Sequence, residues 1–232
     1  GEFNLKDVAK QLKANKNNEW TPLVKGDGDF RSDECIALLK KSDIVVTNPP
    51  FSLFREYIKQ LFNYNKKFVI IGTMNAITYK EVFPFIKDNK LWLGNGFHSG
   101  NAYFYTPNTR DFASGVYDAK TGLVKFRNVC WFTNLDHGRR HQPLPLMTLE
   151  ENLKYSKHKE IKGKKEYGKY DNYDAIEVSF TDAIPSDYKG IMGVPISFLD
   201  KYNPDQFTIL GMCENADLYR LKTKQYSRIE CK

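Results

Sequence analysis

The run Ser42-Asp43-Ile44-Val45-Val46-Thr47-Asn48-Pro49-Pro50-Phe51 constrains this chain more than any other stretch. Ile44, Val45 and Val46 are three consecutive β-branched residues, expected as a short strand buried on both faces. Two prolines follow almost at once. Proline has no N–H and a fixed φ, so neither a sheet ladder nor a helix interior continues through Pro49 and Pro50. The backbone is stiff where the strand stops. An amide, Asn48, and an aromatic ring, Phe51, are then held at the carboxyl end of a core strand, where open α/β sheets place their ligands. The plain alternative is a rigid strand-to-loop turn with Phe51 in the core.

The surrounding pattern is α/β. Leu5, Val8, Ala9 and Leu12 have helical spacing, with Asn4 as a cap, and Ser32 caps a helix over Asp33–Lys41. After the Asp43–Thr47 strand, Ser52 is placed to cap a helix from Leu53 to Tyr64. Lys67–Thr73 reads as a buried strand, Tyr79–Asp88 as a helix bent or interrupted at Pro84, and Leu91–Leu93 as a short strand. Such alternation predicts a largely parallel sheet. From Gly94 the texture turns to glycines, asparagines and aromatics. Strand character returns at Val124–Thr133, Ala175–Phe180 and Phe207–Gly211, and a turn or helix opens at Ser197. A boundary near Gly94–Tyr105 divides the chain into residues 1–100 and 101–232.

The 232 residues are 41% apolar and 14% aromatic, enough for a real core and against disorder. Apolar runs such as Phe68–Ile71 are too short to cross a bilayer, and no signal peptide is visible; a soluble cytoplasmic protein is expected. Cys35, Cys130, Cys213 and Cys231 are far apart, which argues against structural zinc and a disulfide framework. The net charge of +7 favours a polyanionic partner. Between Lys154 and Lys169, seven lysines, among them Lys162, Lys164 and Lys165, face only Glu160 and Glu166. They read as a phosphate-tracking arm or as a solvated, mobile loop.

Asn-Pro-Pro-Phe suits one chemical problem. The exocyclic amine of a nucleobase is a poor nucleophile, because its lone pair is delocalised into the ring. To be methylated it must be oriented, and its hydrogens must find acceptors. The Asn48 oxygen and the Pro49 carbonyl can accept them while Phe51 stacks on the base. Positioning and preorganised electrostatics then carry the rate. The motif resembles motif IV of the S-adenosylmethionine-dependent amino-methyltransferases.

The resemblance extends through Lys25–Cys35, the run from Phe51 to Tyr57, Asn75–Glu81, Trp131–His141 and Gly193–Pro204. Together these stretches are similar to the EcoRI-type adenine-specific DNA methyltransferases over nearly all of the chain from Asn4 to about Gly211. The resemblance implies a Rossmann-like methyltransferase core with a C-terminal DNA-recognition region. It implies methyl transfer from S-adenosylmethionine to N6 of a flipped adenine in double-stranded DNA, with Asn48, Pro49, Pro50 and Phe51 as the catalytic element. A monomer belonging to a restriction-modification system, with a cognate restriction endonuclease as genetic partner, is expected. The family places its methionine-pocket motif upstream of the Asp29 region, and nothing in Gly1–Val24 looks like it. The core is thus expected to be incomplete at its N-terminus.

Asp29 and Phe30 match the family position that meets the cofactor adenine, the carboxylate accepting from its amine and the ring packing on its face. The local alternative is an ordinary acidic turn. A calcium loop over Asp27–Leu38 is disfavoured by Arg31 and Leu38 at ligand positions, and no metal is expected. Asn134-Leu135-Asp136-His137-Gly138-Arg139-Arg140-His141 is the densest polar cluster. Asn134, His137, Arg139 and Arg140 are candidates for DNA contacts, since guanidinium groups bind phosphate and guanine bidentately. The alternative is an Asp136–arginine pair that holds a loop. Gly94–Asn101 is expected as a flexible hairpin or lid. Two other functions fit the motif less well: an RNA guanine-N2 methyltransferase, and a non-catalytic DNA-binding fragment.

Overall fold

The computed structural model describes residues 5–14, 17, 22–24, 26–94, 101–105, 112, 114–170, 173–213 and 228–231. The chain divides into two units, Gly1–Ser42 and Asp43–Lys232. In the first, α1 (Leu5–Ala14) and α2 (Asp33–Lys41) form where the apolar spacing predicts them. The Ser32 hydroxyl accepts from the Cys35 N–H at 3.3 Å, satisfying an otherwise orphaned donor of α2. Asp33 and Glu34 occupy the first turn, where the helix dipole favours acids. Asn4 and the 95–100 part of the glycine-rich segment lie outside the described residues.

The second unit is mixed α/β with three sheets. Its elements are β1 (Ile44–Thr47), α3 (Phe54–Asn63), β2 (Lys67–Thr73), α4 (Phe83–Lys87), β3 (Trp92–Leu93), β4 (Asn101–Tyr105), β5 (Tyr117–Asp118), β6 (Leu123–Arg127), β7 (Val129–Thr133), α5 (Leu149–Tyr155), β8 (Lys169–Tyr170), β9 (Tyr173–Glu177), β10 (Ile191–Pro195), β11 (Ile209–Cys213) and β12 (Arg228–Cys231).

The first sheet has the order β1-β2-β7-β3. β1 and β2 are parallel, and β7 is antiparallel to both β2 and β3, so β3 runs in the direction of β1 and β2. Thr47, Ile70, Phe132 and Leu93 form one row across the sheet. The carboxyl ends of β1, β2 and β3 therefore lie at the same end as the start of β7, and the finish of β7 lies at the other. The amphipathic α3 buries Phe54, Ile58 and Leu61. Phe54 meets Phe132 of β7 with ring centroids 4.9 Å apart, over the gap left by Gly72. The second sheet, β4-β6-β5, is antiparallel. The third, β11-β12-β10-β9-β8, pairs only β9 and β10 in parallel and buries Ile176, Met192 and Val194.

The expected largely parallel sheet is not found: among the described residues only β1–β2 and β9–β10 pair in parallel, because β7 enters the first sheet antiparallel and the other sheets are built mainly from antiparallel pairs. Four further details differ from the sequence expectations, and one is added to them. β1 is not buried on both faces: Ile44 is 48% and Val46 69% exposed, because among the described residues β1 pairs only with β2 and is an edge strand. Ser52 is not a helix cap. Phe51–Leu53 form a 3₁₀ turn in which the Leu53 N–H donates to the Pro50 carbonyl at 3.0 Å, and α3 starts one residue later. Pro84 starts α4 instead of bending a longer helix, since the first turn tolerates its missing N–H. Val124–Thr133 is two strands in two sheets, divided at Asn128, whose φ of 59° lies in the left-handed region that asparagine tolerates. Finally, α5 opens on a reciprocal capping box between Thr148 and Glu151, a signal present in the sequence and overlooked beside the lysine run that follows.

Candidate functional site

Asn48, Pro49, Pro50 and Phe51 leave the carboxyl end of β1 as an all-trans turn into α3. The proline pair divides its labour: Pro49 is buried, Pro50 exposed. Asn48 is exposed and its side chain is hydrogen-bonded to no described residue. Phe51 is 42% exposed, while Phe54, three residues on, is the fully buried ring. The chain thus anchors this turn with Phe54 and Pro49 and leaves an amide and a ring face open to a ligand. Phe51 is not a core residue. A planar group lying on Phe51 with donors toward Asn48 is what this arrangement accommodates chemically.

In the first unit, Asp29 accepts from the Arg31 backbone N–H (2.8 Å), from Arg31 Nε (2.9 Å) and, through Oδ2, from an Arg31 terminal nitrogen (2.6 Å). These bonds from Arg31 hold the Asp29 carboxyl down at about 2. It is ionised at neutral pH. A fourth, longer contact runs from Arg31 Nε to Oδ2 at 3.3 Å, so Arg31 engages both carboxylate oxygens and a further donor would share one of them with it. Arg31 also stands 5.4 Å from the Phe30 ring centroid, and Phe30 is half-buried.

The Asn134–His141 cluster lies beyond the finish of β7, at the end of the first sheet opposite Asn48. Asn134 closes the β2–β7 pairing: its amide accepts from the Phe68 N–H at 2.9 Å and donates to the Lys66 carbonyl at 2.8 Å. His137 Nε2 lies 3.0 Å from the Leu93 carbonyl. Arg140 is 8% exposed, lies 3.8 Å over the Trp92 ring, and donates to Asp136 (3.1 Å) and to Asn89. Arg139 pairs with Asp200 at 3.1 Å. His141 bridges Asp205 and Asp136, both at 2.9 Å, and these carboxylates raise its pKa, Asp205 most. The geometry is that of a clasp joining this loop to β3 and to the Asp200–Asp205 segment.

Lys162, Lys164 and Lys165 are exposed. Their segment is not a loose loop. Ile161 and Tyr167 are buried on either side of them, and the Tyr167 hydroxyl donates to the Ala183 carbonyl at 2.7 Å. The Gly163 N–H donates to the Leu153 carbonyl at 2.8 Å, with Gly163 at φ 79°. Three ammonium groups are thereby displayed on an ordered knuckle.

A family model described as adenine-specific methyltransferase EcoRI matches residues 1–232. The Type II methyltransferase M.EcoRI of Escherichia coli is 49% identical over 195 residues, which are 83% of this chain and 57% of that protein. M.MgeORF184P of Mycoplasma genitalium is 39% identical over 238 residues, 98% of this chain and 70% of the relative. M.MpnI of Mycoplasma pneumoniae is 39% identical over 214 residues, 88% and 62% respectively. The chain therefore spans less than two thirds of the length of the first and third of these relatives. No solved structure gives a significant match.

Proposed function

The chain belongs to the family of EcoRI adenine-specific methyltransferases, and on that premise we propose that it carries the target-base side of an enzyme that methylates N6 of adenine in duplex DNA. The observation that carries this reading is the turn after β1: Asn48 and Phe51 exposed, Pro49 and Phe54 buried behind them. An adenine out of the helix, at an unstacking cost of about a few kcal/mol, lies against Phe51. Its N6 hydrogens are accepted by the Asn48 oxygen and the Pro49 carbonyl. Pro50 fixes the turn and has no N–H to compete. Drawing on both hydrogens localises electron density on N6, so orientation and electrostatics raise its nucleophilicity without a titrating base.

The methyl donor implied by the family is of the S-adenosylmethionine type, and it supplies an electrophilic methyl group. Asp29 and Phe30 fit its adenine end. Asp29 is charged and pinned by Arg31, and Phe30 supplies a ring. A Rossmann-like core is supported by the antiparallel β7 inserted between co-directional β2 and β3, and the open edge of β1 is where further strands of such a sheet would pair. Duplex DNA as partner, phosphate contacts by Lys162, Lys164 and Lys165 in a C-terminal recognition region, and a monomeric enzyme beside a cognate endonuclease complete the proposal. The internal bonds of Asn134, His137 and Arg140 favour a positioning role for them over base contact. The family's adenine specificity speaks against the guanine-amine alternative.

The test is transfer of labelled methyl from S-adenosylmethionine to mixed-sequence duplex DNA, by the chain together with any flanking sequence its gene encodes. Asn48→Ala should reduce transfer by at least a hundredfold with its melting temperature unchanged. Retained transfer, or unfolding in parallel with the loss, removes Asn48 from the chemistry.

A further inference from the structure

The segment between β3 and β7 leaves the first sheet and returns to it at one end. β4 follows the carboxyl end of β3, and β6 runs into the start of β7. That start is tied to the carboxyl end of β2: the Met74 N–H donates to the Asn128 carbonyl at 2.9 Å, and the Asn128 amide to Thr73 Oγ1 at 3.1 Å. The carboxyl end of β1, with Asn48 and Phe51, belongs to the same end of the sheet. The three-stranded β4-β6-β5 sheet therefore leaves the first sheet at the end toward which β1 runs into the Asn-Pro-Pro-Phe turn.

Residues directly opposite in an antiparallel pair share a face. The pairs Tyr103–Lys125, Tyr105–Leu123 and Asn101–Arg127 place two tyrosines and two cations on one face. Tyr103 is 58% and Tyr105 74% exposed, and Arg127 is exposed as well. Lys125 Nζ stands 5.6 Å over the Tyr103 ring, so cation and aromatic form one surface. Tyr103, Lys125 and Leu123 also line an open hollow with Tyr117, Asp118 and Lys120. Two largely exposed tyrosines interleave here with Lys125 and Arg127, against the single carboxylate of Asp118 opposite Leu123, and that combination selects an anionic partner. Phosphates answer the cations, while bases and sugars answer the rings, a pairing that nucleic-acid platforms use.

We propose that the Tyr103–Tyr105–Lys125–Arg127 face is a DNA-contact platform that grips the duplex beside the target adenine. It rests on the chain being a DNA methyltransferase and adds a surface that the catalytic turn does not supply. Lys125 and Arg127 take backbone phosphates. Tyr103 and Tyr105 pack on the bases and sugars laid open where the target nucleotide leaves the stack.

The test measures binding apart from chemistry. Anisotropy of a fluorescent mixed-sequence duplex is titrated with the chain across a salt series. Tyr103→Ala with Tyr105→Ala should weaken binding by about tenfold or more with the salt slope kept, as expected for lost stacking. The paired Phe variants should bind normally. Lys125→Ala with Arg127→Ala should lower the log–log salt slope by about 1 per charge removed. Equal affinity and slope in all variants would overturn the platform while leaving the Asn48 assignment standing, since methyl transfer at saturating DNA reads that separately. No duplex binding by the unsubstituted chain overturns it too. So does concentration-dependent self-association that the tyrosine variants abolish without a change in DNA affinity, which would give the face to a second copy.

Discussion

Gly72→Ala is the sharpest probe of how the Asn48–Phe51 turn is held. A Cβ added at Gly72 falls 2.5 and 2.7 Å from two ring atoms of Phe54 and 2.9 Å from one of Phe132. Both rings are fully buried, so neither escapes into solvent. Carbon atoms pack at about 3.5–4.0 Å, so the rings must retreat by about 1 Å. Overpacking of this kind costs about 1–3 kcal/mol. Alanine recovers about 0.5–1 kcal/mol of backbone entropy that glycine loses in a strand. The net loss therefore lies between about 0 and 2.5 kcal/mol, and at about 2–4 °C per kcal/mol for a domain of this size the melting temperature falls by up to roughly 10 °C. Phe54 directly follows the Phe51–Leu53 turn, so its displacement should also reduce methyl transfer. Thermal melts followed by near-UV circular dichroism, on Gly72→Ala, Phe54→Leu and the double variant, provide the assay. Leucine vacates part of the ring volume, so the double variant should be more stable than the sum of the two single losses predicts. A raised melting temperature for Gly72→Ala, or strict additivity in the double variant, refutes the close-approach account.

Other outcomes follow from the same geometry. Phe54→Ala should cost about 3–5 kcal/mol, whereas Phe51→Ala should cost under about 1 kcal/mol yet impair transfer; equal stability losses in denaturant titrations would contradict their assignment to core and ligand face. Arg140→Lys keeps the charge but loses the planar stack on Trp92, and should destabilise by about 1–2 kcal/mol. The DNA-binding salt slope of Arg140→Gln, which does remove the charge, should stay that of the parent; a slope lowered by about 1 would return Arg140 to the DNA. The His141 clasp is strongest when the imidazole is charged. Because its folded pKa is raised, its contribution is complete below the unfolded value of about 6.5 and disappears as pH rises through the folded one. A melting-temperature profile of His141→Gln should therefore diverge from the parent on the acidic side and converge with it at alkaline pH, and parallel profiles would exclude the clasp.

The Asn48–Phe51 turn is legible in the sequence because proline acts locally. Pro49 and Pro50 end a strand whatever surrounds them, so the position of Asn48 and Phe51 at the carboxyl end of β1 can be read from ten residues. The Ser32 cap of α2 was legible for the same reason. What escaped was non-local. Nothing in Ile44–Val46 says how many neighbours the strand has, so an apolar run became an exposed edge. Asn128 splits Val124–Thr133 because two sheets claim its two halves, and one left-handed residue gives no hydrophobic signal. Arg140 reads as a DNA ligand in sequence because Trp92 and Asn89, which hold it, are about fifty residues away. Tyr103 and Tyr105 stood in plain view as aromatics, but only strand pairing shows that they share a face with Lys125 and Arg127.

The junction at Asn128 has an evolutionary consequence. The β4-β6-β5 sheet departs after β3 and returns at β7, and these strands are hydrogen-bonded neighbours. A loop whose two feet stand side by side can lengthen, shorten or change composition without shifting the register of the strands beneath it. The exposed face of that sheet can therefore be rebuilt by substitution or insertion without moving the Asn48 turn, which leaves β1 two strand positions from β7.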